Sequence, residues 1–245
     1  MFIMFYNFFM INLDLIVDET LFRYPDVKPF LNYKNNYELL IMAILSARTT
    51  DNLVNKISPC LFERYGNFES LSRANIRDVE KLIYKTGFYS RKANNIVNCS
   101  IDILEKFNGV IPNNIFDLVK LPGVGRKIAN VILGSVYNKP AIIVDTHFSR
   151  VIKRHALSLE NSPIKIELDL KRRIEPCKQY RFSMAINKHG REVCTARNVS
   201  CANCFLEKFS PRVLLIFLVK MILNVSFFFS VVNLLLLVLY LYLLI

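Results

Sequence analysis

Two residues near the middle of the chain are of the types that build and discharge a covalent intermediate. Lys127 carries an amine that can attack an electrophilic carbon and go on to a Schiff base, and Asp145 carries a carboxylate that can take a proton or face a growing positive charge. Only about one ordinary lysine in ~2,500 is neutral at pH 7, so a nucleophilic lysine needs help from a dipole or a base. Lys127 follows glycines that open a helix, where the positive dipole end disfavours an ammonium. The apolar run Ala141–Val144 can return Asp145 to its side, where a carboxylate would favour that ammonium, and the sequence leaves the balance open. Read without context, Lys127 is an ordinary solvated surface lysine, and Asp145 is equally a cap for a helix starting at Thr146-His147. A third group is Cys194-x6-Cys201-x2-Cys204, whose thiol density is that of a metal site.

The element that must position Lys127 is the stretch Leu118–Asn130. Pro122, Gly123 and Gly125 break a short helix, and a second then starts with Ile128, Val131 and Ile132 on one face. Gly123 and Gly125 are expected to take positive φ and to expose N–H groups at the new helix start, which makes an anion site suited to a phosphate. The spacing is not that of a Walker loop, and a plain glycine-rich αα turn is the alternative. Lys127 shares a face with Asn130 and Gly134, whose missing side chain leaves room for close approach. Elsewhere Leu39, Leu40, Ala43, Ile44 and Ala47 form a helical stripe, with similar patterns at Ile76–Lys85 and Lys92–Phe107. Asn113 or Asn114 is suited to cap a helix opening at Ile115. Ala141–Val144 is the best strand pattern and too isolated for a sheet, so the body reads as all-α.

Composition bounds the partners. The 245 residues hold 32 Lys+Arg against 20 Asp+Glu, a net +12 that suits a polyanion, while 53% hydrophobic content exceeds that of an ordinary soluble domain. The excess lies at the ends. Residues 1–10 carry no charge, and residues 211–245 carry only Arg212 and Lys220. The uncharged run from Met221 to Ile245 is long enough to cross a ~30 Å hydrocarbon layer, but its Phe, Leu, Ile and Asn content is also what AT-rich DNA encodes outside a true frame. Cys60, Cys99 and Cys177 are scattered and read as buried free thiols in a reducing compartment.

Taken together, the segment Leu121-Pro122-Gly123-Val124-Gly125-Arg126-Lys127 resembles the helix-hairpin-helix motif of DNA glycosylases. The chain from Tyr37 to Cys204 is similar to the endonuclease III family. The likeness runs through Tyr37-Glu38-Leu39-Leu40, Leu45 to Asp51, Gly87 to Ala93, Val144-Asp145-Thr146-His147, His189-Gly190-Arg191 and the cysteine cluster.

The resemblance implies a two-lobed helix-hairpin-helix glycosylase fold with the active site between the lobes. It implies a bifunctional DNA glycosylase and abasic-site lyase that takes an oxidised pyrimidine out of duplex DNA and cleaves the strand by β-elimination. Lys127 and Asp145 match the catalytic positions. Arg48, Leu121, Gly123, Val124, Gly125, Arg126, His147 and Arg197 are the expected DNA contacts. Arg48 stands where the family usually has Gln, and is expected to fill the gap left by a flipped base with an altered opposite-base preference. Cys194, Cys201 and Cys204 match three of the four ligands of a [4Fe–4S] cluster, and the fourth position is Ser210. An altered C-terminus with an absent or labile cluster is one outcome, a serine alkoxide or an exogenous thiol as fourth ligand is another, and zinc held by the three cysteines and His189 is a third. The expected organisation is a leader (1–10), a helical domain (29–139) with its hairpin at 115–137, a second lobe (11–28 with 140–210) and a tail (211–245). The expected state is a cytoplasmic, nucleoid-associated monomer, anchored to a membrane if the tail is a genuine span. The rivals are a non-catalytic, membrane-tethered DNA-binding protein and an adenine-mismatch glycosylase, against which the presence of Lys127 argues.

Overall fold

The computed structural model describes residues 13–27, 29–197 and 200–209. The leader, Ser210 and the candidate span at 221–245 lie outside them. Among the described residues no helix is long and apolar enough to cross a membrane, and no strand is present.

The helices in chain order are α1 (Leu13–Arg23), α2 (Asn36–Leu45), α3 (Asp51–Arg64), α4 (Phe68–Ser72) and α5 (Ile76–Ile83). They continue with α6 (Tyr89–Phe107), α7 (Ile115–Leu118), α8 (Arg126–Tyr137), α9 (Thr146–Arg154), α10 (Pro163–Arg173) and α11 (Pro176–Glu192). Short polar caps set many of the starts. Asn35, Thr50, Asn67, Asn114, Asp145 and Ser162 each accept a backbone N–H of the following turn.

Two apolar cores organise these helices. The first surrounds α2, which is buried from Tyr37 through Leu45 rather than along a single stripe, because α3, α6 and α8 all pack on it. Leu39, Leu40, Ile41, Met42 and Leu45 are fully enclosed, each contributing roughly 1.5–3 kcal/mol. Ala47, expected on that stripe, lies beyond the helix and is exposed. The second core gathers Ile16 and Val17 of α1, Phe148 and Ile152 of α9, Ile166 and Leu170 of α10, and Phe182 and Ile186 of α11.

Helix α11 joins the two. Its Tyr180 packs on the first core and lies against Gly134 of α8, where a Cβ would fall 1.9 Å from the Tyr180 ring. The close approach that Gly134 permits is thus taken up by Tyr180, whose hydroxyl is 2.6 Å from Ser135 Oγ. Of the scattered cysteines only Cys99 is buried. Cys60 and Cys177 are exposed, which corrects the expectation that all three are interior.

Candidate active site

Lys127 occupies the first turn of α8. The chain turns through Gly123 at φ 80°, where a Cβ would meet Asn95 and Ile44 at 2.9 Å, so both conformation and space require glycine. Gly125 differs from expectation: its φ is −91° and it serves as the N-cap of α8 with no side-chain cap. The first N–H groups of α8 therefore lack a capping side chain, as an anion site requires. Leu121 and Val124 are buried, so their side chains anchor the turn in the core, and the Val124 N–H is spent on Leu121 O. Any contact this turn makes with a phosphate runs through backbone, chiefly at the exposed Gly123 and Gly125.

Asp145 caps α9. Its Oδ1 accepts the Phe148 N–H at 2.8 Å, and Oδ2 lies 3.9 Å from Arg191 Nη2. Arg191 is itself fixed three ways: Nη1 donates to Asp51 Oδ2 at 2.7 Å, Nε donates to Asn187 Oδ1 at 2.8 Å, and the guanidinium lies 4.0 Å from the Phe30 ring centre. The capping role and the facing role of Asp145 are thus not alternatives, since one oxygen serves each. Its side chain is only 8% exposed.

Lys127 and Asp145, from different elements, line one open cleft of about 630 Å³ with Ser46, Arg48, His147 and Arg191. At its base is a recess of about 60 Å³ walled by Ile143, Val131, Tyr180 and Met184. Among the described residues no ion pair joins Lys127 to Asp145, and Lys127 is solvent-exposed. An exposed amine and a held carboxylate thus share one cleft.

Other predicted residues fall variously. Arg48 stands at the mouth in the left-handed region (φ 55°), its guanidinium 5.4 Å from the ring centre of Phe88, which is also left-handed and 63% exposed. Phe88 escaped the sequence reading, although it sits inside the Gly87–Ala93 motif. His147 lines the cleft with Nδ1 at 3.2 Å from Arg150. Arg126, an expected DNA contact, has its guanidinium held by Glu167 of α10 through two bonds of 2.9 and 2.8 Å, which tie α8 to the second core. Lys171 joins the same carboxylate at 3.0 Å and Asn130 Oδ1 at 2.9 Å. Burial alone would raise the Glu167 pKa, but the bonds from Arg126, Lys171 and Asn130 outweigh it and hold the carboxyl below its ordinary value.

The cysteine loop is built otherwise. Cys194 is buried, Cys204 half-buried and Cys201 exposed, and burial pushes the Cys204 thiol up. Arg150 and Arg154 hold the loop through the Cys194 and Thr195 carbonyls, and Arg154 Nη1 also reaches Cys194 Sγ at 3.3 Å. His189 Nε2 lies 3.2 Å from Cys204 Sγ and Nδ1 3.1 Å from the Tyr24 hydroxyl, and burial lowers the imidazole pKa to about 4. Among the described residues no three metal-binding side chains come together, so the donors present do not fit a four-thiolate cluster. Arg197 is exposed on this loop.

This geometry has counterparts. Residues 41–176 match the profile of the HhH-GPD superfamily base excision DNA repair proteins. An endonuclease III of Synechocystis sp. is 40% identical over 189 residues, covering 77% of this chain and 86% of the relative. The chain belongs to the endonuclease III family. Among solved structures, a non-covalent endonuclease III–DNA complex superposes with a TM-score of 0.77 at 34% identity, covering 81% of this chain and 94% of that one. A trapped endonuclease III–DNA covalent intermediate gives 0.75 at 35% identity, covering 79% and 92%. As a member of that family the chain is a DNA N-glycosylase and abasic-site lyase of base excision repair, with an all-α helix-hairpin-helix fold.

Proposed function

We propose that this enzyme removes oxidised pyrimidines from duplex DNA with Lys127 as nucleophile and Asp145 as its carboxylate partner. The observation that carries the assignment is the shared cleft, which gathers an exposed lysine at an uncapped helix start and a buried, oriented carboxylate.

The chemistry follows from these positions. The duplex docks its phosphates on the backbone of the hairpin turn, with the basic body adding affinity that does not depend on sequence. The damaged nucleotide leaves the stack and enters the cleft, while Arg48 and Phe88 take the vacated space. The neutral Lys127 amine attacks C1′ and the N-glycosidic bond breaks, its electron pair leaving with the base, which is protonated. Asp145 faces the positive charge building at the sugar, and its cap bond to the Phe148 N–H, with Arg191 3.9 Å from the other oxygen, keeps that carboxylate aimed. Opening of the sugar ring, with O4′ leaving as a hydroxyl, converts the adduct to an imine. The imine acidifies the C2′ proton. Its removal expels the 3′ phosphate by β-elimination, and water then releases Lys127.

No step runs through the cysteine loop. The resemblance implies a [4Fe–4S] cluster there, but with Ser210 at the fourth position this chain supplies three thiols. We read the loop as the descendant of a cluster site with low occupancy. A membrane would enter the account through the tail at 211–245.

Borohydride trapping on a thymine-glycol duplex is the direct test. Wild type should give a covalent adduct and Lys127→Ala none. An undiminished adduct in Lys127→Ala would refute the assignment.

A further inference from the structure

Lys92 of α6 is 4% exposed, and among the described residues no carboxylate pairs with it. Burial lowers its pKa to about 8. A buried ammonium without a counter-ion is costly and persists where it does something for the surrounding structure. Its Nζ donates to Thr49 Oγ1 at 2.6 Å and to the Thr86 carbonyl at 3.0 Å, and the Thr49 hydroxyl donates to the same carbonyl at 2.6 Å. Thr49 immediately follows Arg48, and Thr86 is followed by Gly87 and Phe88.

Arg48, Gly87 and Phe88 all have positive φ, at 55°, 65° and 48°. Two turns in a conformation that side chains rarely adopt are thus joined by one ammonium, and each turn presents one half of the Arg48–Phe88 contact, whose Arg48 also lines the cleft. Lys92 lines a second cavity, of about 510 Å³, with Arg48, Phe88, Asn95 of α6 and Gly123 of the hairpin turn, and Arg48 is the residue this cavity shares with the cleft.

We propose that Lys92 is a positioning residue for base extrusion, stapling the Arg48 turn to the Phe88 turn so that guanidinium and ring enter the duplex as one wedge. This rests on the function proposed above and adds to it the residue that sets the wedge. Lys92 touches neither the reacting carbon nor Lys127 in this scheme. Its loss therefore acts on steps that require a stacked base to be displaced, and much less on a site that has already lost its base.

The test compares two DNA duplexes under single-turnover conditions, one with thymine glycol placed opposite adenine or guanine, the other with a preformed abasic site. In Lys92→Met, which keeps length and removes charge, excision of thymine glycol should fall roughly 100-fold and its adenine-to-guanine preference should change, while borohydride trapping on abasic DNA falls far less. Thr49→Val should shift both readouts in the same direction, and Thr49→Ser, which keeps the hydroxyl, should restore them. Unchanged excision and opposite-base preference in Lys92→Met would overturn the proposal, as would equal loss on both substrates. If Lys92→Met does not fold, the threonine pair decides: Val reduced with Ser normal supports the staple, and Val equal to Ser overturns it. Failure of the wild-type enzyme to trap abasic DNA is a different result, and it would overturn the underlying lyase assignment.

Discussion

The cleft and the cysteine loop are both built by helices α9 and α11, yet they differ in what those helices hold. In the cleft each chemical group is fixed by the partner it needs: Asp145 by a backbone N–H and Arg191, Arg191 by Asp51 and Asn187, Lys127 by a helix start shaped around Gly123. In the loop the supports are in place, with Arg150, Arg154 and His189 around Cys194 and Cys204, and the sequence there offers three cysteines followed by Ser210. On the reading proposed above, the loop keeps these hydrogen bonds without holding a full cluster. Catalytic competence should then depend on the first region and be largely indifferent to the second.

Substitutions ordered by expected effect probe that contrast. Lys127→Ala should reduce both base excision and strand cleavage to background, measured on thymine-glycol and abasic duplexes. Asp145→Asn should lower turnover by about 10²–10⁴-fold while leaving the melting temperature nearly unchanged, because asparagine caps α9 as well as aspartate does. A large loss of stability in that variant would mean the cap outweighs the chemistry.

Between the two regions lies the Arg126–Glu167–Lys171 cluster, which holds α8 to the second core. Arg126→Met should cost about 1.5–3 kcal/mol in denaturant unfolding and weaken catalysis only as far as it loosens α8. Because the folded Glu167 carboxyl is held below its ordinary value, the stability it adds is full above the unfolded pKa and is lost as pH falls through the lower, folded one. Glu167→Gln should flatten that acid limb of the stability curve. The smallest effect belongs to the loop: Cys201→Ser should change excision by no more than about twofold, since the residue is exposed. Anaerobically purified protein should hold well under one cluster per chain by iron assay. A stoichiometric cluster, with activity lost on its removal, would erase the contrast.

Much of the first region was legible because its causes are local. The Pro122–Gly125 break announces the start of α8, and Asp145 before Thr146-His147 announces a cap. The all-α character follows from apolar spacing in stretches such as Ile76–Lys85. What escaped depends on partners far along the chain. The partner of Arg126, Glu167, stands 41 residues on and meets it only through folding. Lys92 and Arg191 stood inside recognisable motifs, but nothing local distinguishes a buried lysine from a solvated one. Gly125 departed from positive φ because it caps a helix, while Gly123 makes the turn. Phe88 is an exposed aromatic whose purpose shows only beside Arg48.

The central claim is that one amine, on Lys127, carries the covalent step. Proteolysis and mass mapping of the borohydride-trapped adduct test it most directly. The account predicts a single modified peptide with the sugar remnant on Lys127. An adduct on Lys92, Lys120 or any other amine would contradict it.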